Sequence, residues 1–223
     1  MARELSIDTI DIFPFGYIDI DGQNTGIIYE ISNIIAKTAG FTAVNKIRPY
    51  SRTIIDLKNG DADIVIRYPN AALQENAISV ATIIGFNSIV IGNVGSDFKS
   101  IKDLHGKTIG SIRGGVFDSK VSEDKAIIKY EVKDYEQIFK MLLAKKLDAV
   151  IGSTIGLYLN AKKMNISKAQ LGKPLILEKK YFTLFLSKKN ADPQTILALK
   201  KAVKDLVASG EISKIIKKYD LKN

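Results

Sequence analysis

The stretch that decides the fold is Lys58-Asn59-Gly60-Asp61-Ala62-Asp63-Ile64, which separates a helix-like segment from a short apolar run. A similar stretch, Lys145-Lys146-Leu147-Asp148-Ala149-Val150-Ile151, stands at the same kind of junction in the second half of the chain. Asn-Gly is a common left-handed end for a helix, and a brief apolar run bounded by turn residues is typical of a buried strand. The chain therefore repeats one helix–turn–strand unit, which predicts two related halves.

Strands and helices alternate on both sides of the first stretch. Ile27, Ile28, Ile31, Ile34 and Ile35 recur at helical spacing and form one apolar face. A β-α-β-α-β order implies parallel pairing with crossover helices, and hence an α/β fold. The predicted elements of the first half are a strand at 5–13, a helix at 26–39, a strand at 41–48, a helix at 51–58 and a strand at 63–66.

The second half has the same alternation, and it ends in a short tail. The apolar run at 79–94 is interrupted by Gly85, Asn87 and Ser88, so it is typical of a buried strand and not of a membrane span. The tail of one strand and two helices is too small to form a domain, and we expect it to pack on the first half. The predicted elements after that run are strands at 107–112, 127–132, 147–152 and 181–187, and helices at 135–144, 157–163, 193–207 and 211–219, with a glycine turn into a helix at 114–119.

Composition excludes several classes of function. The 223 residues include no cysteine and one histidine, so we expect no disulfide, no cysteine nucleophile, no metal site and no cofactor. The net charge is +9, but only five of the 33 basic residues are arginines and the lysines are spread along the chain. A nucleic-acid surface would interleave arginines with aromatic residues on one element, so no nucleic-acid partner is expected.

Five motifs, in this order and spacing, carry a family resemblance across nearly the whole chain. The chain resembles the family 3 bacterial extracellular solute-binding proteins, which have the type II periplasmic-binding protein fold and include the amino-acid receptors of ABC transporters. The motifs are Phe13-Pro14-Phe15-Gly16-Tyr17, Leu57-Lys58-Asn59-Gly60-Asp61-Ala62-Asp63, Asp103-Leu104-His105-Gly106-Lys107-Thr108-Ile109-Gly110, Leu147-Asp148-Ala149-Val150-Ile151, and Gly210-Glu211-Ile212 with Lys218-Tyr219.

The resemblance implies an α/β protein of two lobes, each a mainly parallel sheet flanked by helices. Lobe 1 would comprise residues 1–90 and 185–223 and lobe 2 residues 91–184, joined by two crossover strands near 86–94 and 178–186. A small-molecule ligand would be trapped between the closing lobes and delivered to the membrane permease of an ABC importer. The implied protein is a monomer in the periplasm or another extracytoplasmic location, with its signal peptide removed.

The chain departs from the family at the two positions that hold an α-amino acid. In amino-acid-binding members an Arg after the strand at Asp63 holds the carboxylate, and an Asp in the second lobe holds the ammonium group. Here residues 71–76 contain no Arg, and Ser153 stands where the Asp is expected. Two unmatched charges in a desolvated cleft would cost several kcal/mol, so a standard α-amino acid is predicted to be a poor ligand.

Arginines near the strand ends are the candidate replacements. Arg48 and Arg52 flank Tyr50, Arg67 ends the strand at 63–66, and Arg113 opens the glycine turn. A guanidinium binds a carboxylate or phosphate through two parallel hydrogen bonds, so these positions predict an anionic ligand. Arg67 is the foremost candidate because a strand end lies on the floor of such a cleft. The alternative for Arg48 or Arg52 is a salt bridge to a surface carboxylate.

The remaining candidates are a glycine turn and a set of aromatic walls. A glycine turn before a helix can offer backbone N–H groups to an anion, although a plain turn is the alternative. Each aromatic residue has core packing as its alternative, and no residue is predicted to be catalytic or metal-binding. The predicted ligand-binding set is Phe13, Phe15, Tyr17, Tyr50, Arg52, Arg67, Tyr68, Arg113, Gly114, Gly115, Val116 and Ser153.

Three functions are compatible with these residues. The first is a transport receptor that binds a small, carboxylate-bearing or otherwise anionic metabolite without transforming it. The second is the ligand-binding sensory domain of a signalling receptor, and the third is a dehydratase-type enzyme on the same fold. The enzyme would need a positioned acid in the cleft, and no residue stands out for that role; Asp61 and Asp63 are better explained as turn residues.

Overall fold

The computed structural model describes residues 3–221, with side chains up to Tyr219. The chain divides into two compact units. Unit 1 contains the residues up to Ile84 and those from Tyr181 onward, and unit 2 contains Gly85–Lys180. Both boundaries fall inside strands. In chain order the elements are β1 (Glu4–Ile10), β2 (Tyr17–Ile18), β3 (Asn24–Thr25), α1 (Ile27–Thr38), β4 (Thr42–Arg48), α2 (Arg52–Asn59), β5 (Ile64–Arg67), α3 (Ala71–Asn76), β6 (Ala77–Gly92), β7 (Thr108–Ile112), α4 (Ser119–Glu123), β8 (Ile128–Val132), α5 (Tyr135–Leu143), β9 (Ala149–Ser153), α6 (Thr154–Lys163), β10 (Leu175–Ser187), α7 (Pro193–Ala208) and α8 (Glu211–Leu221).

The sheet of unit 1 has the strand order β4-β1-β5-β10. Its first three strands are parallel, and β10 is antiparallel to β5. The isoleucine face of α1 is buried, with Ile27, Ile28, Ile31 and Ile35 inaccessible to solvent. The crossover helices thus supply the apolar surface that a parallel sheet needs.

The sheet of unit 2 has the order β6-β9-β7-β8. Strands β9, β7 and β8 are parallel, and β6 is antiparallel to β9. Helix α5 buries Tyr135, Ile138, Phe139 and Leu142. The α/β class, with mainly parallel sheets flanked by helices, is confirmed.

One aspartate in each unit clamps the start of a buried strand onto its parallel neighbour. In unit 1 the backbone N–H of Asp63 donates to the Ser6 carbonyl at 2.8 Å, and its Oδ2 accepts from the Ser6 N–H at 2.7 Å. In unit 2 the N–H of Asp148 donates to the Thr108 carbonyl at 2.9 Å, and its Oδ2 accepts from the Thr108 N–H at 2.7 Å. The two aspartates are those of the repeated sequence stretches, so the repeat encodes a structural clamp.

Three elements differ from the sequence prediction. Strand β1 ends at Ile10 because the chain folds back, and the N–H groups of Phe15 and Gly16 both donate to the Ile12 carbonyl. Helix α3 was not predicted, although Asn70 caps it by accepting from the Leu73 N–H. Strand β10 begins at Leu175, well before the predicted start, because its first half carries lysines and a glutamate that hide the strand pattern.

The tail is tied to α1 through one tyrosine. The N–H of Gly26 donates to the Tyr219 hydroxyl oxygen at 2.9 Å, and that hydroxyl donates to Glu30 Oε1. Lys218 adds an ion pair to the same carboxylate at 2.7 Å. Burial and the Glu30 contact raise the pKa of Tyr219, so the phenol stays protonated and remains a donor.

We expect Asp63→Ala to lower the free energy of unfolding by about 2–3 kcal/mol, because it leaves the Ser6 N–H without its charged acceptor and removes the ion pair with Arg3. Urea unfolding monitored by circular dichroism measures the change. Asp61→Ala is the matched control, since this carboxylate lies in the same turn but is exposed. A loss no larger than that of the control would show that the clamp is energetically unimportant.

Candidate functional site

The carboxyl ends of β4, β1 and β5 lie at one edge of the unit 1 sheet, because these strands are parallel. Tyr50 follows β4, Phe13 follows β1, and Arg67 is the last residue of β5. Open α/β sheets bind ligands at this edge. The structure therefore brings the predicted unit 1 residues to the end of the sheet where a ligand site is expected.

Arg67 is buried, with 1% of its surface exposed. Its Nη1 donates to the Tyr50 carbonyl and to Thr53 Oγ1, each at 2.6 Å. The Tyr50 ring stacks on the guanidinium with its centroid 3.7 Å from Cζ. The other edge of the guanidinium, Nε and Nη2, is buried and has no hydrogen-bond partner among the described residues. Nor does any carboxylate in the described part of the chain form an ion pair with it.

The predicted aromatic walls fall into two groups. Phe15 and Tyr68 are buried and pack on Phe182 of β10, with ring centroids at 5.0 and 4.2 Å. Phe13 and Tyr17 are half-buried and meet edge to face at 4.9 Å. Packing thus accounts for Phe15 and Tyr68, while Phe13, Tyr17 and Tyr50 retain surface that could meet a ligand.

Arg48 and Arg52 lie beside a pair of buried aspartates. Arg52 Nε is 2.7 Å from Asp56 Oδ1 on the same helix, and Arg48 Nε is 4.0 Å from both Asp8 and Asp56. Arg52, predicted to bind ligand, is therefore engaged by a carboxylate one helical turn away. The carboxylate is buried, whereas the sequence suggested a surface partner for these arginines.

The carboxyl groups of Asp8 and Asp56 are within hydrogen-bonding reach of each other. Burial, followed by the hydrogen bond to Asp56 and its charge, raises the pKa of Asp8 from 3.8 to about 7. Arg48 and Lys46 on β4 act in the opposite direction and do not offset this rise. Asp8 therefore takes up its proton at a higher pH than an ordinary aspartate, because its pKa is raised to about 7.

In unit 2 the glycine turn, residues 113–117, follows β7 and borders a cavity of about 180 Å³. Gly114 has a φ of 73°, and a Cβ on Gly115 would lie 2.8 Å from the Phe117 ring. The cavity is lined by the turn residues Gly114, Gly115, Val116 and Phe117, together with Ile109, Ser111, Val121, Ser122, Lys129, Glu131 and Ile151.

A short helix follows the glycine turn. Helix α4 begins at Ser119 and has five residues, and the Asp118 carboxylate accepts from the Val121 N–H at its N-terminus. The helix end is thus capped by an anion that belongs to the chain. The prediction of a glycine turn at 114–119 that leads into a helix is confirmed, with Phe117 and Asp118 between the glycines and the first helical residue.

Ser153 and Arg113 occupy different surroundings. Ser153 is 1% exposed and caps α6, where its Oγ accepts from the Gly156 N–H at 3.2 Å. Arg113 is exposed, and its backbone N–H donates to the Val132 carbonyl at 2.9 Å. Sequence reasoning missed Thr53 and Phe182, which hold Arg67 and Tyr68; only the aromatic start of the predicted strand at 181–187 hinted at either.

A larger cavity of about 760 Å³ in unit 1 lies between the start of β6 and α7 and includes none of the predicted residues. Within the described chain, no group of three or more His, Asp or Glu side chains is arranged to hold a metal ion. No helix among residues 3–221 is long and apolar enough to cross a membrane.

No protein-family model matches the chain, but one curated protein and several solved structures are similar to it. The chain is 23% identical over 213 residues to a probable amino-acid-binding protein of Bacillus subtilis, YxeM, across 93% of this chain and 80% of the relative. An ancestral arginine-binding protein bound to arginine aligns with a TM-score of 0.82 at 21% identity, covering 98% of this chain and 99% of that one. The GluR0 ligand-binding core from Nostoc punctiforme, in complex with L-glutamate, aligns with a TM-score of 0.80 at 21% identity, covering 96% and 98%.

The chain therefore has the type II periplasmic-binding protein fold, and its resemblance to the solute-binding proteins of amino-acid ABC transporters is confirmed. Among the similar structures, the two ancestral arginine-binding proteins contain glutamine and arginine, and the GluR0 ligand-binding core contains L-glutamate.

We expect Asp8 to contribute a loss of stability as pH rises from about 4 to about 7, because the folded state binds the Asp8 proton more tightly than the unfolded state does. Asp8→Asn should flatten this dependence, so that its advantage over wild type grows with pH. Urea unfolding at about pH 4.5, 6 and 8 measures it. Asp11→Asn, at an exposed position three residues on, should keep the wild-type slope. Parallel slopes for Asp8→Asn and wild type would contradict the assignment.

Proposed function

We propose that this chain is the extracytoplasmic solute-binding receptor of an ABC-type importer and that it binds a small carboxylate-bearing metabolite, α-amino acids included. Its partners would be that ligand and the membrane permease, and it would act as a monomer without chemistry of its own. The fold supports the receptor class, and the named relative is a probable amino-acid-binding protein. The observation that carries the ligand class is the buried Arg67.

A buried guanidinium without a carboxylate partner is costly, because desolvation of an ion is offset only by good pairing. Thr53 and the Tyr50 carbonyl occupy Nη1, and the Tyr50 ring covers one face. Nε and Nη2 form the edge of Arg that binds a carboxylate through two parallel hydrogen bonds. A ligand carboxylate would therefore satisfy the one edge that the protein leaves unmatched.

Access to this edge requires a side chain to move, since both nitrogens are buried. Tyr50 is half-buried and stacks on the face of the guanidinium, so it would hold the plane of Arg67 in place while a carboxylate binds at the Nε and Nη2 edge. Phe13 and Tyr17 would provide the apolar wall beside it.

A sensory role is the second candidate, favoured by the likeness to the GluR0 ligand-binding core. The two roles share the ligand chemistry and differ in the partner. A transport receptor should stimulate ATP hydrolysis by an ABC importer in proteoliposomes only when its ligand is present. A sensory domain should have no such effect on any importer while still binding ligand.

We expect a melting-temperature screen to find its strongest shifts among carboxylates. The panel is L-arginine, L-glutamine, L-glutamate and succinate, with inorganic phosphate and glucose for comparison. A ligand at 100-fold its Kd adds about 2.7 kcal/mol, which is roughly 5–10 °C for a chain of this size. A strong shift with glucose and none with any carboxylate would overturn the proposed ligand class.

Arg67→Met should weaken the affinity for the active compound by about 30-fold, the equivalent of a charged hydrogen-bond pair worth about 2 kcal/mol. Arg67→Lys, which keeps the charge and loses the paired geometry, should fall between Arg67→Met and wild type. Lys200→Met removes an exposed charge on α7 as a control and should bind like wild type. Calorimetric titration measures each Kd, and an unchanged Kd in Arg67→Met would rule out the assignment.

A further inference from the structure

Lys180 is an unusual lysine in this chain because its side chain is only 15% exposed. It lies on β10, at the last position of unit 2 before the strand enters unit 1. Most other lysines are solvated, but a lysine this buried needs specific partners to offset the loss of water.

Two partners hold the Lys180 ammonium group. Its Nζ donates to the Val116 carbonyl at 3.1 Å and lies 3.2 Å from Glu178 Oε1 on the same strand. Both contacts are exposed to solvent, which weakens each of them, but only the bond to Val116 joins residues far apart in sequence. The bond to Val116 is therefore the contact that links β10 to the glycine turn.

Val116 lies near the end of the glycine turn, residues 113–117, which is anchored on both sides. At its start the N–H of Arg113 donates to the Val132 carbonyl and the N–H of Gly115 donates to the Ile112 carbonyl. Just after it, Asp118 caps α4. The glycines give the backbone between these anchors several accessible conformations. A hydrogen bond to the Val116 carbonyl from outside the turn can therefore favour one of them.

We propose that Lys180 is a positioning residue that sets the shape of the glycine turn and couples it to the connecting strand β10. A change in the backbone of β10 would move the Lys180 side chain and, through the Val116 carbonyl, the turn that borders the unit 2 cavity. The affinity part of this inference rests on the proposed ligand-binding role of the turn. The structural part does not.

The test of the structural part uses the ligand-free protein. Amide hydrogen exchange is measured by NMR for residues 114–117 in wild type, Lys180→Met and Lys180→Arg. We expect exchange of the Gly115 N–H, which donates to the Ile112 carbonyl, to rise at least about tenfold in Lys180→Met, and Lys180→Arg, which can still donate, to restore most of the protection. Exchange within about twofold of wild type in Lys180→Met would overturn the positioning role.

Two controls separate this effect from loss of charge or of the ion pair. Lys173→Met removes an exposed lysine of the same unit, and Glu178→Gln removes the ion pair while leaving the Val116 bond possible. Both should leave the exchange of residues 114–117 near the wild-type value. A rise in either control equal to that in Lys180→Met would assign the effect to charge and overturn the inference.

The affinity part is tested with whichever of L-arginine, L-glutamine, L-glutamate and succinate binds the wild type. Lys180→Met should weaken its Kd about fivefold to 20-fold, with Lys180→Arg recovering most of the loss. Unchanged affinity together with altered exchange would overturn the coupling to ligand. If no compound binds the wild type, the proposed function fails, and the exchange measurements still decide the role of Lys180 in the turn.

Discussion

The two aspartate clamps determine the rest of each unit. The apolar runs of β5 and β9 are buried and almost uniform, so hydrophobicity alone does not define their register against a parallel neighbour. Asp63 and Asp148 remove this ambiguity because each pairs its N–H and its carboxylate with a single residue of the adjacent strand. A slip of one residue would break both hydrogen bonds and turn every side chain of the strand to the opposite face.

The clamp at the start of β5 also decides what emerges at its end. With Asp63 held, Arg67 reaches the edge of the sheet and lies against Thr53 and Tyr50 of the preceding segment. The structure stabilises one edge of the guanidinium and leaves the other buried and unmatched. The Asp63 carboxylate sets the register of β5, and this register places the Arg67 guanidinium where it could bind the carboxylate of a ligand.

Local pattern was enough for much of the candidate site, but not for its contacts. Arg67 was predicted because an arginine at a strand end is placed toward the ligand edge, and the structure puts it there. The environment of Arg52 was beyond local reasoning, since the buried pair of Asp8 and Asp56 joins a strand and a helix that are distant in sequence. Lys180 was one basic residue among many until its contact with Val116 distinguished it.

Periodicity and turn residues are local signals, and they were enough to predict the α/β class, the repeated helix–turn–strand unit and the parallel pairing of the strands. The sequence also marked the aspartates that open the two buried strands. The three-dimensional contacts were needed to learn which aromatic residues pack in the core, which carboxylate engages Arg52 and which edge of Arg67 stays unmatched. The aromatic contacts and the surroundings of Arg67 depend on residues far apart in the chain, and the Arg52–Asp56 pair, although only four residues apart, depends on the burial of Asp56.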